Sequence, residues 1–269
     1  NNTNNRGGTN RSGNMMMGMM GGGGGMGRGQ GGWGGGNGIT TSYLAGLNAA
    51  STFFDDKMDL GGNYIYNYNR NDVEESSQKT TYLQDMNVIT NSDGIGNTIS
   101  GGHSFGFRLD HDFSKNTSIL FQPQINIGTG SYIQSSTDAT LNDDLNGNVT
   151  KVNDSYTDNT GNNKNLSASG FLLFRQRLGI PGRTLTLAAN VSASNNNLNG
   201  LNTNGITSYV GGTSSLTEVR QSFENKEDSY SASGTLTYTE PLGNYFYVEA
   251  NYSYNWIKST SDKQTINLL

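Results

Sequence analysis

Residues 229–257, SYSASGTLTYTEPLGNYFYVEANYSYNWI, hold two runs of strict alternation around a tight turn. After the turn, Phe246, Val248, Ala250, Tyr252, Tyr254 and Trp256 take one side of a period-two pattern, and Tyr247, Glu249, Asn251, Ser253 and Asn255 take the other. Before it, Tyr230, Ala232, Gly234, Leu236 and Tyr238 alternate with Ser231, Ser233, Thr235, Thr237 and Thr239. The pattern predicts two antiparallel strands with one apolar, aromatic face and one polar face. Each strand runs to about ten residues or more, the length a tilted strand needs to cross a bilayer.

Similar alternation recurs along the chain and predicts eight strands, at 39–53, 58–68, 99–113, 117–129, 166–179, 184–194, 229–239 and 245–257. Asp55-Asp56-Lys57, Ser114-Lys115-Asn116, Ile180-Pro181-Gly182-Arg183 and Glu240-Pro241-Leu242-Gly243-Asn244 join them in pairs. These are turn residues, since Pro presets φ and Gly or Asn tolerates positive φ. Polar stretches 69–98, 130–165 and 195–228 separate the pairs and read as long loops. Short turns alternating with long loops are the asymmetry of an outer-membrane barrel, whose tight turns face the periplasm. The expected fold is all-β: an antiparallel up-and-down transmembrane β-barrel spanning 38–269, with about eight strands present as part of a larger barrel.

Composition refines this picture. Of 269 residues only 32% are hydrophobic, with 38 Gly and 14 Tyr, too few for a conventional core but enough for strands in which every second residue meets lipid. The longest apolar runs, 171–174 and 245–248, fall far below the roughly eighteen residues of a spanning helix. A net charge of −5 gives no electrostatic reason to expect nucleic acid as a partner. Cysteine is absent, which removes disulfides and thiolate chemistry. Residues 1–37, with MMMGMMGGGGGMGRGQGG at their centre, read as a low-complexity Gly/Met/Asn-rich extracellular loop. Its methionines are soft thioethers suited to Cu(I), Arg6-Gly7-Gly8 resembles an RNA-binding segment, and its GxGxxG spacing has no flanking strand and helix to give it meaning.

Candidate chemistry is sparse. Arg108, Asp110, Asp112, Arg175, Arg177 and Glu249 fall on strand faces opposite apolar residues and close to tight turns, which places them on the turn-side half of a lumen. Asp110 and Asp112 form a carboxylate pair open to an acid–base reading, but carboxylates on a water-filled wall are ordinarily solvated or paired with Arg, and an ion-pair or docking role is expected instead. His103 and His111 share a face about 26 Å apart, too far to ligate one metal. No compact catalytic signature is present, so the chain is expected to be neither an enzyme nor the holder of a cofactor or metal. Tyr43, Tyr64, Tyr66, Tyr68, Tyr252, Tyr254 and Trp256 gather toward the loop-side strand ends, where an aromatic girdle meets the outer interface, sugar stacking being the other use for such rings.

GITTSYLAGLNAA followed by DKMDLGGNYIYN, then HSFGFRLDHDFSKNTSILFQPQI, FLLFRQRLGIPGRTLTL and TYTEPLG with its aromatic strand, together resemble the outer-membrane β-barrel family related to TonB-dependent receptors of Gram-negative bacteria. The resemblance covers 38–263 and several blocks agree in order. It implies an outer-membrane receptor or transporter taking up a scarce small solute, with a plug domain, a TonB-type energising system and outer-membrane lipid as partners. Members of that family carry a plug and a barrel of about 22 strands. Only eight strands are read here, so a middle fragment of such a protein is expected. An autonomous eight-stranded barrel serving as adhesin or anchor is the alternative, and a soluble exported β-sheet protein is a more distant one.

Overall fold

The computed structural model describes residues 38–243 and 245–268. The expectations for 1–37, a loop and a copper-binding Met cluster, lie outside the described residues. Eight strands follow in chain order: β1 (Ile39–Phe53), β2 (Met58–Tyr82), β3 (Asn87–Ser114), β4 (Thr117–Asp143), β5 (Val149–Arg177), β6 (Thr184–Val210), β7 (Thr213–Pro241) and β8 (Tyr247–Asn267). They form one antiparallel sheet in the order β1-β2-β3-β4-β5-β6-β7-β8, each strand beside its sequence neighbours. This is the up-and-down all-β arrangement that the alternation predicts. The sheet is open, since β1 and β8 have no pairing with each other.

The turn-side strand ends agree with expectation, but the opposite ends do not. The stretches expected to be long loops are strand for most of their length: β2 continues to Tyr82, β4 to Asp143 and β6 to Val210, with partners running back in register. What remains of the loops is 83–86, 144–148 and 211–212. Side chains bridge the strands of this extension: Ser42–Asn69 at 2.7 Å, Gln78–Asn91 at 2.8 Å, Ser135–Asp158 at 2.6 Å and Thr157–Asn204 at 2.9 Å. Cross-strand polar pairs of this kind stabilise a sheet much as apolar pairs do. Three aromatic rings also lie over a directly opposite glycine: Tyr132 over Gly161, Tyr156 over Gly205 and Phe223 over Gly200. A β-carbon on Gly161 or Gly205 meets the facing ring at 2.5 or 2.2 Å, so these glycines make room for the aromatics that cover them.

The turns at the other end are also short. Phe54, Asp55 and Asp56 all have positive φ, at 58°, 54° and 64°, so the β1–β2 connection is built from three consecutive left-handed residues, none of them glycine. Pro123 stands in the interior of β4, where proline removes a ladder donor; the Phe107–Pro123 and Arg108–Gln122 pairs drop out of the β3–β4 ladder, while register is kept on either side.

Among the described residues nothing covers either face. No hydrophobic side chain is buried among the described residues, and Ile39, Leu47 and Tyr252 are 76%, 73% and 69% exposed. The sheet is a single layer.

Candidate functional site

The register sorts side chains by face without ambiguity, because residues paired across strands share a face and neighbours along a strand do not. One row runs Phe53, Met58, His111, Ile119, Phe174, Leu187, Leu236, Tyr252. Two residues further from the turns the row contains Leu60, Leu109, Phe121, Leu172, Ala189, Gly234 and Tyr254, and the next contains Phe107, Pro123, Val191, Ala232 and Trp256. The result is a continuous apolar band across all eight strands on one face.

The band has polar borders. On β6 and β7 its turn-side limit is the Arg183–Glu240 ion pair, with nitrogen–oxygen distances of 2.7 and 2.5 Å. Its outward limit there is the Asn195–Asp228 hydrogen bond at 2.7 Å. On β2 the band ends at Tyr68; the next residue on that face, Arg70, grips Asp72 through two hydrogen bonds of 2.8 and 3.0 Å. That guanidinium, with a further bond from Asn97, holds the Asp72 carboxyl below the usual carboxylate range. From Met58 to Tyr68 the band extends about 33 Å along β2 at roughly 3.3 Å per residue.

The band is also slanted. On β1 its outermost aromatic is Tyr43, and on β8 it is Trp256, followed on that face by Lys258. Followed back through the register, the row of Trp256 reaches β1 at Ala49, six residues nearer the turns than Tyr43. Six residues are about 20 Å along the strands, and seven strand spacings are about 34 Å across them, so the band crosses the strands at a tilt of about 30°. Strands in transmembrane barrels tilt by about 35–45°. With this tilt, the 33 Å along β2 becomes a band about 28 Å tall, against the roughly 25 Å apolar belt of such barrels.

The opposite face is polar at the same depth. It carries Thr235, Thr237, Asn251, Ser253 and Asn255 on β7 and β8, and Asn190 and Ser192 on β6. All six charges singled out from the sequence lie on it, near the turns. Arg108 pairs with Asp110 at 2.9 Å along β3. Asp112 shares a row with Ser118 and Arg175. Arg177 donates to the Lys115 carbonyl at 3.1 Å and shares a row with Thr184, Thr239 and Glu249, whose carboxylate accepts from Asn251 at 2.9 Å. The sequence reading missed Asp59, which stands directly opposite Asp110 and doubles the negative charge beside Arg108. Its alternation with Met58 and Leu60 was the available signal. Leu120, Phe171 and Leu173 make a small apolar island among these polar groups.

His103 and His111 are on the banded face, apart from each other. His103 Nδ1 lies 2.8 Å from the Tyr64 hydroxyl, and His111 Nδ1 lies 3.1 Å from the Lys57 carbonyl. Among the described residues no group of three or more His, Cys, Asp or Glu side chains is placed to hold a metal.

No protein-family model matches the chain, and no curated protein is similar to it. Among solved structures, the translocator domain of the autotransporter NalP from Neisseria meningitidis aligns with 84% of this chain and 88% of that one, at 8% identity and a TM-score of 0.14. A likeness this weak carries no argument about the activity of this chain.

Proposed function

We propose that residues 38–268 form wall of an outer-membrane β-barrel, with the banded face against lipid and the polar face toward a water-filled or plugged interior. The slanted band is the observation that carries this reading. A soluble single-layer sheet has no reason to gather its aliphatic and aromatic residues on one face at a constant height, or to tilt that zone by about 30° to its own strands. Such a face left in water far exceeds the few hundred Å² of contiguous apolar surface that soluble monomers tolerate. In lipid it replaces the missing core.

Within that reading the chain belongs to a receptor of the TonB-dependent kind, taking up a scarce solute. Support comes from the sequence blocks that resemble that family, and from the charges gathered near the turns on the polar face, where a plug would contact the wall. A second reading, a self-contained eight-stranded barrel acting as anchor or adhesin, has an observation in its favour. β1 and β8 run in opposite senses, and the band drifts by nearly one residue per strand. Continued through one more step, the drift comes to about seven residues, close to the shear of eight in a regular eight-stranded barrel, at which β1 would meet β8 with faces matched.

Because the chain has no cysteine, introduced thiols test both points. In lipid vesicles, Leu187→Cys, Ala189→Cys and Val191→Cys should resist a charged maleimide, while Ala188→Cys, Asn190→Cys and Ser192→Cys should react. Equal labelling of the two sets overturns the lipid-facing assignment. A Leu47→Cys, Ala250→Cys double variant, matched at the offset of eight, should cross-link within one chain only if β1 and β8 close on each other; absence of the cross-link supports the larger barrel.

A further inference from the structure

The outward border of the band is unlike the rest of it between β2 and β5. There a shallow groove opens on the banded face, lined by Tyr66, Tyr68, His103, Gly101, Thr129 and Asn162 among others. Its β2 wall is aromatic and braced: Tyr66 and His103 have ring centroids 5.2 Å apart, Tyr43 and Tyr68 5.9 Å, and the Tyr64 hydroxyl reaches His103 Nδ1. Its floor is low because Gly101, which pairs with Tyr68, has no side chain. Along the strand direction the groove changes character, from Ile127 inside the band to Ser131 and Asn162 beyond it.

The charge beside the groove is specific. Lys164 is the register partner of Thr129 and therefore lies on the same face at the border of the band. It is exposed and has no carboxylate within ion-pair distance among the described residues. The nearby cation on the other side, Arg70, is already committed to Asp72, and Lys226, in the same row on β7, is paired with Glu224 at 2.9 Å. One unneutralised ammonium thus stands where the apolar band gives way to water, across a glycine-floored gap from Tyr66 and Tyr68, whose rings lie tilted against His103 and Tyr43.

We infer that this groove holds the headgroup of a phosphorylated glycolipid in the outward-facing leaflet. Lys164 takes a phosphate, the Tyr66 and Tyr68 rings lie against a sugar, and the acyl chains continue down over Ile127 into the band. A charge-assisted contact at a lipid border, unlike a fully solvated pair, adds both affinity and orientation. The inference rests on the lipid-facing assignment proposed above.

The test uses the full chain in detergent micelles, with bisphosphorylated lipid A and the same lipid stripped of phosphate as probes. Lys164→Gln should weaken binding of the phosphorylated form about tenfold, roughly the effect of one charge-assisted hydrogen bond, and leave the dephosphorylated form unchanged. Tyr66→Ala with Tyr68→Ala should weaken both. Lys164→Arg should restore affinity, and Lys258→Gln, on distant β8, should leave it within about twofold. Wild-type affinity in Lys164→Gln, or an equal loss in Lys258→Gln, overturns the site in favour of a diffuse basic border. The maleimide pattern on β6 is read in the same preparation. Protected Ala189→Cys with indifferent Lys164→Gln refutes the groove alone, whereas reactive Ala189→Cys refutes the lipid-facing assignment itself.

Discussion

Ala188 and Ala189 offer a matched comparison within the sheet, being the same residue at the same depth on a central strand but on opposite faces. Ala189 lies midway along the band on β6, which runs from Leu185 to Ala193, and is flanked by Leu172 on β5 and Gly234 on β7. Ala188 faces the other way, between Leu173 and Thr235. An arginine at Ala189 must hold its guanidinium at the centre of a zone about 28 Å tall, about 14 Å from either polar border, beyond what its side chain spans. The cost for Arg on the lipid face at the bilayer midplane is about 2–4 kcal/mol, and Ala189→Arg should show all of it. Ala188→Arg places the same charge on the polar face and should cost less than about 1 kcal/mol. Reversible guanidinium unfolding from phospholipid vesicles, followed by tryptophan emission, measures both. Equal destabilisation of the two variants, or a larger loss for Ala188→Arg, refutes the face assignment, because depth, strand and residue type are held constant.

Other expectations concern the turns and the extension. Phe54→Gly should stabilise the sheet by about 1 kcal/mol in the same unfolding assay, because it relieves a bulky residue at φ 58°. Gly205→Val drives a branched side chain into the Tyr156 ring, which also donates a hydrogen bond to Glu218, and should cost about 1–3 kcal/mol with faster amide exchange in the outward half of β5 and β6. Asp154 accepts from Lys151 and from the Tyr209 hydroxyl, and Lys151 in particular holds its carboxyl below the usual range. Since the folded value lies below the unfolded one, this contribution is whole above about pH 4 and is lost as pH falls through the folded value. Amide protection around Asn153–Tyr156 should therefore decline on acidification below about pH 4 relative to an Asp154→Asn control, which should lack that added loss.

What the sequence disclosed depended on contrast between faces. Where Phe105, Phe107 and Leu109 alternate with Gly106, Arg108 and Asp110, the strand and its two faces were both legible, and so were the turns of 55–57 and 180–183. Beyond the band the contrast vanishes, because both faces are wet. Asn195, Asn196 and Asn197 follow one another within β6, and neither side of the ladder has to be apolar. A period-two reading has nothing to detect there, so hydrogen-bonded strand was taken for loop. Other signals were present, namely the Asn146-Gly147 and Gly211-Gly212 dipeptides that favour hairpin turns. The polar-face charges were readable for the same reason as the strands, whereas the groove was not, since Tyr68, Gly101, Thr129 and Lys164 come from four strands that only the register aligns.

Strict next-neighbour order has a mechanical consequence. Every strand is held only by the strands beside it in the chain, and no described contact bridges distant parts of the sequence across a second layer. A pull on the two ends therefore loads the outermost ladders first, and each hairpin can part as an opening zipper without disturbing the next. Single-molecule traction from a membrane should release the chain in a series of discrete lengths, each close to one pair of strands, instead of in one cooperative rupture.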